Sequence, residues 1–334
     1  METTQSADFD VTGIGNAIVD IIARCDDAFI SNHGMEKGFM QLVTASQAET
    51  IYEAMGPATE QSGGSAANSC AGVASFGGRC AFIGRVAGDQ FGTVFRHDIR
   101  SIGVHYETPP ANSGLPTARC LVLVTPDGER TMNTFLGAST ELGPEDIDAG
   151  VIAASQVIYL EGYLFDKEEA KTAFHHAAKL ARAAGRKVAL TLSDAFCVDR
   201  HREDFLALVR GGVDILFANE AEIMALYQLN SFEEAASAVR AEAEIAVLTR
   251  SEQGSVIIAG NETISVPAEP VSRVEDVTGA GDLYAAGFLY GLTRGHDLES
   301  CGRLGSLAAS EVISHIGARP ETSLARLASQ KGLA

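Results

Sequence analysis

The chain has 334 residues, of which 46% are hydrophobic and 21% are charged, a composition typical of a large globular protein. Its net charge of -19 argues against a nucleic acid or an anionic membrane as partner, and an anionic ligand would need locally arranged donors or a metal. The first ten residues lack the features of a signal peptide, no apolar run reaches transmembrane length, and the scattered cysteines include no C-x-x-C pair, so we expect a cytoplasmic protein with reduced thiols.

Strand-like apolar runs alternate with helical patterns along most of the chain. A strand, a bend and another strand are predicted over 11–23, and further strands at 80–86, 157–162, 187–193, 214–219 and 245–250. Helices are predicted at 65–76, 168–185, 203–212, 220–227, 232–241, 280–294 and about 299–315. This alternation predicts an α/β fold in which a doubly wound, mostly parallel sheet is flanked by helices on both faces.

Two stretches, 36–62 and 106–137, lack long helical patterns. Within the second, residues 120–136 predict a β-hairpin, because two β-rich runs flank a Pro-Asp-Gly turn. We expect both stretches to form a small β lid inserted into the main domain.

The first glycine-rich segment, 13–18, begins like a dinucleotide-binding fingerprint, but Ile18 stands where the third glycine would be. The sequence also lacks a P-loop, an H-E-x-x-H motif, a G-x-S-x-G motif and a zinc-spaced Cys/His set. Asp20, two residues after this segment, could accept hydrogen bonds from a sugar, or could simply be a solvated or capping residue.

A second glycine-rich segment precedes the predicted helix at 65–76. Gly63 and Gly64 would let backbone N–H groups, together with Asn68, reach a polyhydroxylated ligand. The alternative is a helix start that packs closely against its neighbours because its residues are small.

Asn219 and Glu222 follow a predicted strand at the edge where doubly wound sheets bind ligands. They could organise Mg²⁺ through its bound waters, because Mg²⁺ usually keeps several of them. Glu222 could equally be an ordinary acid in the first turn of a helix.

The segment 278–282 begins the predicted helix at 280–294. Thr278 is a candidate N-cap, and Gly279, Ala280 and Gly281 leave the first-turn N–H groups accessible to an anion. Asp282 beside them is either a partner of the helix dipole or the base of a phosphoryl transfer to a hydroxyl.

In this order, the motifs resemble those of the ribokinase-like (phosphofructokinase-B type) carbohydrate and nucleoside kinases, over nearly the whole chain, 8–334. The motifs are Gly63-Gly64 with Asn68, 84–92, Asn219 with Glu222, 249–254, and D-x-T-G-A-G-D at Asp276–Asp282. Within that family the chain looks most like the adenosine kinases, on Asn16 with Asp20, 62–69, 160–165 and 309–321.

The resemblance implies an ATP-dependent kinase with Mg²⁺ that phosphorylates the 5′-hydroxyl of a purine nucleoside, adenosine to AMP. It makes Asp282 the base and Gly279–Gly281 the anion hole, and it brings Arg130 to the phosphates with the lid. The residues that would hold the ribose are Asn16, Asp20, Gly63, Gly64 and Asn68. Those that would enclose the base are Met132, Leu136 and an aromatic residue among Tyr163–Phe165. The ATP site would be formed by Asn219, Thr249, Ser251, Gly254 and Ala309.

Two departures from the family pattern concern ATP and monovalent-cation contacts. Ser251 replaces a usual glycine, and Val277 replaces a usual threonine. The acceptor could instead be a free sugar or sugar acid, or the chain could be a non-catalytic nucleoside-binding protein; the intact run ending at Asp282 argues against the latter. A K⁺ requirement and the choice between monomer and homodimer stay open.

Overall fold

The computed structural model describes residues 7–112 and 114–333; positions 113 and 334 of the predicted ranges lie outside the described residues. The strands are β1 (Phe9–Ile14), β2 (Ile18–Arg24), β3 (Met40–Leu42), β4 (Ala58–Gly63), β5 (Cys80–Ile83), β6 (Ala118–Val124), β7 (Arg130–Phe135), β8 (Ser155–Glu161), β9 (Lys187–Thr191), β10 (Ile215–Asn219), β11 (Ile245–Thr249), β12 (Ser255–Ala259) and β13 (Glu262–Val266). The α-helices are α1 (Asp27–Asn32), α2 (Ala45–Ala54), α3 (Ser65–Ser75), α4 (Gln90–Ser101), α5 (Ala149–Ala153), α6 (Glu168–Ala183), α7 (Ala195–Gly212), α8 (Glu220–Tyr227), α9 (Phe232–Val239), α10 (Ala280–Thr293), α11 (Leu298–Val312) and α12 (Leu324–Gln330).

The main sheet has eight strands in the order β13-β12-β11-β10-β9-β8-β1-β5. Its strands from β5 to β11 are parallel, and β12 and β13 add an antiparallel edge. Alternate residues of β8 show that both faces are covered. Val157 and Tyr159 pack in one core cluster with α3 and α10, whereas Ile158 and Leu160 pack in another with α6 and α7. The predicted doubly wound α/β fold is confirmed.

A second sheet has five strands in the order β3-β7-β6-β2-β4. The two stretches predicted as the lid supply β3, β4, β6 and β7, and the predicted hairpin is β6–β7. Strand β2 comes from outside those stretches and lies between β6 and β4. Whether this sheet moves as a lid stays a prediction.

The stretch 36–62, expected to belong to a β lid, also contains a ten-residue helix, α2. Thr44 and Gln47 form a capping box: each side chain accepts a hydrogen bond from the backbone N–H of the other, at 3.3 and 2.8 Å. This local signal was available in the sequence and was outweighed by the weak apolar periodicity that follows.

Several other elements differ from the predictions. Helices α4 and α12 and the hairpin β12–β13 were not predicted, and α7 begins eight residues before the predicted start at 203, with non-helical backbone angles at His201.

Segment 13–18 does not form a dinucleotide-binding turn, because β1 continues into β2 of the second sheet and not into a helix. Gly15 serves close packing instead: a Cβ there would lie 2.2 Å from Glu161 Oε2. Within the described residues, no helix is long and apolar enough to cross a bilayer, and the cysteines form no disulfide.

Candidate active site

A cavity of about 1110 Å³ is lined by the second sheet on one side and by the carboxyl ends of main-sheet strands on the other. Four parallel strands end at it with Glu161, Thr191, Asn219 and Thr249. Ligands of doubly wound sheets bind at this edge, because the parallel strands place their connecting loops and helix N-termini there. The N-terminus of α10 also lines the cavity.

Helix α10 begins with a glycine turn and has no side-chain cap. Gly279 is its N-cap, with φ +79, so the predicted cap Thr278 was wrong; the Thr278 hydroxyl instead accepts a hydrogen bond from Arg130 Nη1 at 2.8 Å. Ala280 N–H donates to Val277 O at 3.2 Å. Among the described residues, no partner accepts from the N–H groups of Gly279, Gly281 or Asp282.

The space in front of this helix start is open. A Cβ added to Gly281 would meet no atom within 4 Å, whereas a Cβ on Gly279 would lie 2.8 Å from Ala318 Cβ. Gly281 therefore faces the cavity, and Gly279 is required by its backbone conformation and its close neighbour. The arrangement can receive an anion, as predicted for Gly279–Gly281.

Asp282 is held by donors from α3, more than 200 residues earlier in the chain. Ser65 Oγ donates to Asp282 Oδ1 at 2.6 Å, and Asn68 Nδ2 donates to Oδ2 at 3.0 Å. Ser69 Oγ donates to the Asp282 carbonyl at 2.9 Å. Burial raises the pKa of the carboxyl above its usual value, and these hydrogen bonds oppose that rise.

Arg319 joins this network from the loop after α11 and was missed by sequence reasoning. Its Nε donates to Asn68 Oδ1 at 2.8 Å, and its Nη2 donates to Ser62 Oγ at 3.1 Å. Ser62 donates in turn to Asp98 Oδ2 from both its N–H, at 2.7 Å, and its hydroxyl, at 2.5 Å. Arg319 lies in the segment 309–321 that carried the family resemblance, but no local pattern singles it out.

Asn16 is fixed by a buried carboxylate. Its Nδ2 donates to Glu161 Oε1 at 2.6 Å, and its Oδ1 accepts from Ser139 Oγ at 2.8 Å. Glu161 Oε2 also accepts from Ala66 N–H at 2.8 Å, so it connects β8 to the start of α3. Burial raises the pKa of Glu161 to about 7. The sequence signal for Glu161 is its position as a charged residue at the end of an otherwise apolar strand.

Asp20 lines the cavity beside the glycine pair. A Cβ on Gly63 would lie 2.2 Å from Asp20 Oδ2 and would displace that carboxylate, whereas Gly64 is restricted to glycine by its φ of +101 and by the Asn16 carbonyl beside it. Among the described residues, no donor binds the Asp20 carboxylate. Burial raises its pKa to about 6, although Arg319 and Arg130 oppose that rise. The carboxylate therefore has its acceptor sites available to a ligand.

Arg130 connects the second sheet to the loop before α10. Its Nη1 donates to both Asp276 Oδ2 and Thr278 Oγ1. Asp276 also accepts from the N–H groups of Thr278 and Gly317, each at 2.9 Å. The prediction placed Arg130 near the phosphates. In the structure Arg130 contacts Thr278, the residue directly before the glycine run.

The face of the second sheet toward the cavity is largely apolar. The apolar side chains that line it are Ile18, Ile22, Met40, Leu42, Val122, Met132 and Leu136. Met132 and Leu136 therefore line the cavity, and their contact with a purine base stays a prediction.

The two predicted aromatic residues, Tyr163 and Phe165, lie in different parts of the structure. Tyr163 lines the cavity, and its hydroxyl donates to Ser193 O at 3.2 Å. Phe165 was wrong as a base-pocket residue, since it is 1% exposed and stacks on Phe205 at 4.1 Å between ring centroids, inside the core. The segment is a 3₁₀ helix, in which residues two apart point in different directions.

All predicted ATP-site residues line the same cavity: Asn219, Thr249, Ser251, Gly254 and Ala309. Ser251 has φ +50, the left-handed conformation that favours glycine, which is why the family pattern expects glycine there. Gly254 has φ +82, and a Cβ there would lie 2.1 Å from Val266 O.

Asn219 and Glu222 form the capping box of α8. Glu222 accepts from Asn219 N–H and Nδ2 at 2.9 and 2.6 Å, and Asn219 Oδ1 accepts from Glu222 N–H at 2.9 Å. Burial raises the pKa of Glu222 to about 7. In the described part of the chain, no three His, Cys, Asp or Glu side chains surround a common point. The pair therefore does not form a direct metal site, but both residues line the cavity and fit a hydrated ion carried by a ligand.

Comparison with known proteins places these residues in context. A sequence model described as pfkB family carbohydrate kinase matches residues 40–324. The chain is 30% identical over 268 residues to 5-dehydro-2-deoxygluconokinase of Shouchella clausii, covering 77% of this chain and 81% of that protein. It is 25% identical over 326 residues to adenosine kinase of Saccharomyces cerevisiae, covering 91% and 94%.

Two solved structures are similar over almost their full length. A probable sugar kinase from Rhizobium etli has a TM-score of 0.91 and 53% identity, covering 98% of this chain and all of that one. Adenosine kinase from Sinorhizobium meliloti has a TM-score of 0.90 and 55% identity, covering 97% of this chain and all of that one.

Proposed function

Because the chain belongs to the pfkB family of carbohydrate kinases, and is a phosphotransferase with an alcohol group as acceptor, we propose that it converts adenosine, or a close purine nucleoside, to its 5′-monophosphate. The family implies ATP as the phosphoryl donor.

One observation carries the choice of acceptor: the apolar face that the second sheet presents to the cavity. Met40 and Leu42 are 49% and 59% exposed there, and Met132 and Leu136 extend the same face. A purine can cover such side chains, and burial of apolar surface contributes roughly 25 cal/mol per Å² before ordering costs. A free pentose offers them no apolar surface.

The polar residues beside that face suit a ribose. Asp20 has acceptor sites available, and Asn16 is held rigidly by Glu161 and Ser139. A nucleoside bound with its base on the second sheet and its sugar at Asp20 would direct its 5′-hydroxyl toward Asp282.

Asp282 would then accept the proton of that hydroxyl as its oxygen attacks the γ-phosphorus of ATP, and the bond to the bridging oxygen breaks to release ADP. Ser65 and Asn68 each use one lone pair of its carboxylate, and the others stay available for the proton. The exposed N–H groups of Gly279 and Gly281 would stabilise the charge on the transferred phosphoryl oxygens. Arg130 would add positive charge beside the phosphoryl oxygens, either after its contact with Asp276 breaks or while that contact is kept.

ATP would occupy the end of the cavity lined by Thr249, Gly254 and Ala309. Asn219 and Glu222 would hold Mg²⁺ through its waters, and that ion supplies positive charge to the phosphate oxygens.

A free sugar or sugar acid is the second candidate acceptor. It is favoured by the 30% identity to a 5-dehydro-2-deoxygluconokinase and by the similarity to a probable sugar kinase. The chemistry at Asp282 would be the same, so only the acceptor distinguishes the two proposals.

An ADP-release assay with adenosine, guanosine, ribose, fructose and 5-dehydro-2-deoxygluconate at matched concentrations tests the acceptor. We expect kcat/KM for adenosine to exceed that for each sugar by about 100-fold or more, since burial of a purine contributes several kcal/mol. A preference for any of the sugars would contradict the nucleoside as acceptor, but the protein would still be a kinase.

Leu136→Asp tests whether the apolar face binds the base. We expect a KM for adenosine at least about tenfold higher, because a carboxylate would replace apolar contact with the purine. Leu115→Asp is the matched control: Leu115 is 42% exposed and does not line the cavity. Equal KM values for the two variants would mean that these side chains only pack the second sheet.

A further inference from the structure

The network behind Asp282 contains a cation that the proposed chemistry has not yet used. Arg319 donates to Asn68 and Ser62 with different nitrogens of one guanidinium group. Ser62 is anchored by two hydrogen bonds to Asp98, on α4. The planar fork of Arg319 is therefore fixed at one end to the second sheet and α4, and at the other to the side chain that contacts Asp282.

This geometry determines the orientation of the Asn68 amide. Its Oδ1 faces Arg319 Nε at 2.8 Å, so its Nδ2 must face Asp282 Oδ2, at 3.0 Å. The opposite orientation would place an amide N–H₂ against a guanidinium and an amide oxygen against a carboxylate, and both contacts would be repulsive. Arg319 thus ensures that Asn68 donates to Asp282.

Arg319 also balances an acidic environment. Among the described residues, several acidic groups interact electrostatically with Asp282: Asp20 on β2, Tyr159 and Glu161 on β8, Tyr163 in the following 3₁₀ helix, and Glu222 on α8. Arg319 carries the opposite charge, and it lowers the pKa of both Asp282 and Asp20 against the effect of burial.

We propose that Arg319 is a positioning residue for Asp282: through Asn68 it fixes the carboxylate for proton transfer, and its charge favours the ionised form of that carboxylate. This role rests on the proposed function in one respect, because it takes Asp282 as the base. Arg319 does not line the cavity, so it acts through Asn68 and not on the acceptor.

The test compares pH profiles of kcat/KM for wild type, Arg319→Gln and Arg319→Lys. In Arg319→Gln we expect the acid limb to move to higher pH, with a loss of about tenfold or more near pH 6 that narrows to about threefold at pH 9. In Arg319→Lys we expect the limb to stay close to wild type but kcat to fall, because lysine keeps the charge and loses the fork.

Arg294→Gln is the matched control. Arg294 Nη2 donates to the fully buried Asp10 at 2.8 Å, and neither residue lines the cavity. We expect this variant to lose thermal stability without moving the acid limb. A pH-independent loss in Arg319→Gln, or the same limb shift in Arg294→Gln, would overturn the proposal.

A second readout does not depend on the acceptor. Carboxyl-carbon NMR of aspartate-labelled protein, with Asp282→Asn to identify the signal, reports the titration of Asp282 directly. We expect a higher midpoint in Arg319→Gln than in wild type, and an unchanged midpoint would overturn the proposal. If Arg319→Gln does not fold, full kcat in Arg319→Lys would overturn it. Failure of the wild type to turn over any acceptor would instead contradict the proposed function, and the NMR comparison would still decide the role of Arg319.

Discussion

Asp282 shows how one residue acquires a role from its surroundings. An acid in the first turn of a helix is stabilised by the helix dipole alone, and that would explain its presence in α10. The structure adds two side-chain donors from α3 on its carboxylate and an open glycine run beside it. A dipole partner needs neither of these, so the environment favours a base.

Asp282→Asn should lower kcat by about 10²–10⁴-fold, the range in which a general base contributes. Adenosine affinity, measured by calorimetry, should change less than about threefold, because the amide keeps the shape of the carboxylate. Asp297→Asn is a suitable control, since Asp297 is the N-cap of α11 and does not line the cavity. A near wild-type kcat in folded Asp282→Asn would show that another group takes the proton.

The start of α10 is the element on which the site depends. Its N-cap is a glycine in the left-handed conformation, and no side chain satisfies the first N–H groups among the described residues. An anion can therefore take the place of a cap. Glycine is needed at the two positions for different reasons. Gly279 has a backbone conformation that favours glycine and lies close to Ala318, whereas a side chain at Gly281 would occupy the open space of the cavity.

Two variants separate these reasons. Gly281→Val should leave the free energy of unfolding within about 1 kcal/mol of wild type, because valine is the better helix former and meets no neighbour. Its kcat should fall by at least about 100-fold, because the side chain would fill the space of the phosphate. Gly279→Val should lower stability as well, because a valine with φ +79 is strained and would contact Ala318. Denaturant titration and initial rates measure both, and equal losses of stability in the two variants would indicate a purely structural glycine run.

At the scale of the whole molecule, the two sheets form one continuous cavity. Its volume of about 1110 Å³ exceeds that of most sites for one small ligand. The apolar side chains of the second sheet and the predicted ATP residues after β10 and β11 line this cavity together with Asp282 and Gly281. We therefore expect two ligands to occupy it together and to meet at the glycine run.

Adenosine and a non-hydrolysable ATP analogue should therefore bind together. Each at 100 times its Kd should stabilise the protein by about 2.7 kcal/mol, and the two together should raise Tm above either alone. Scanning calorimetry with each ligand and with both measures this, and ribose in place of adenosine is the control. No additional shift from the second ligand would mean that both compete for one site.

The sequence alone determined the parallel strands of the main sheet, most of its covering helices and the residues that line the cavity from 278 to 282. Strands buried on both faces require continuous apolar runs, and helices require apolar residues at helical spacing, so both leave a local record. A run of small residues before an acid is likewise local. The capping box at Thr44 is also a local signal, but the apolar periodicity of α2 is weak, so the sequence did not predict this helix.

Only the tertiary structure decided which polar groups meet. Arg319 reaches Asn68 across 251 positions and Glu161 reaches Asn16 across 145, and such pairs depend on how β8, α3 and the loop after α11 pack, not on neighbours in the chain. The separation of Tyr163 from Phe165 is similar, because a short 3₁₀ turn sends one ring to the cavity and the other to the core. Local sequence patterns indicate which residues of a segment are buried, whereas the packing of distant segments determines which charged and polar groups form hydrogen bonds with each other.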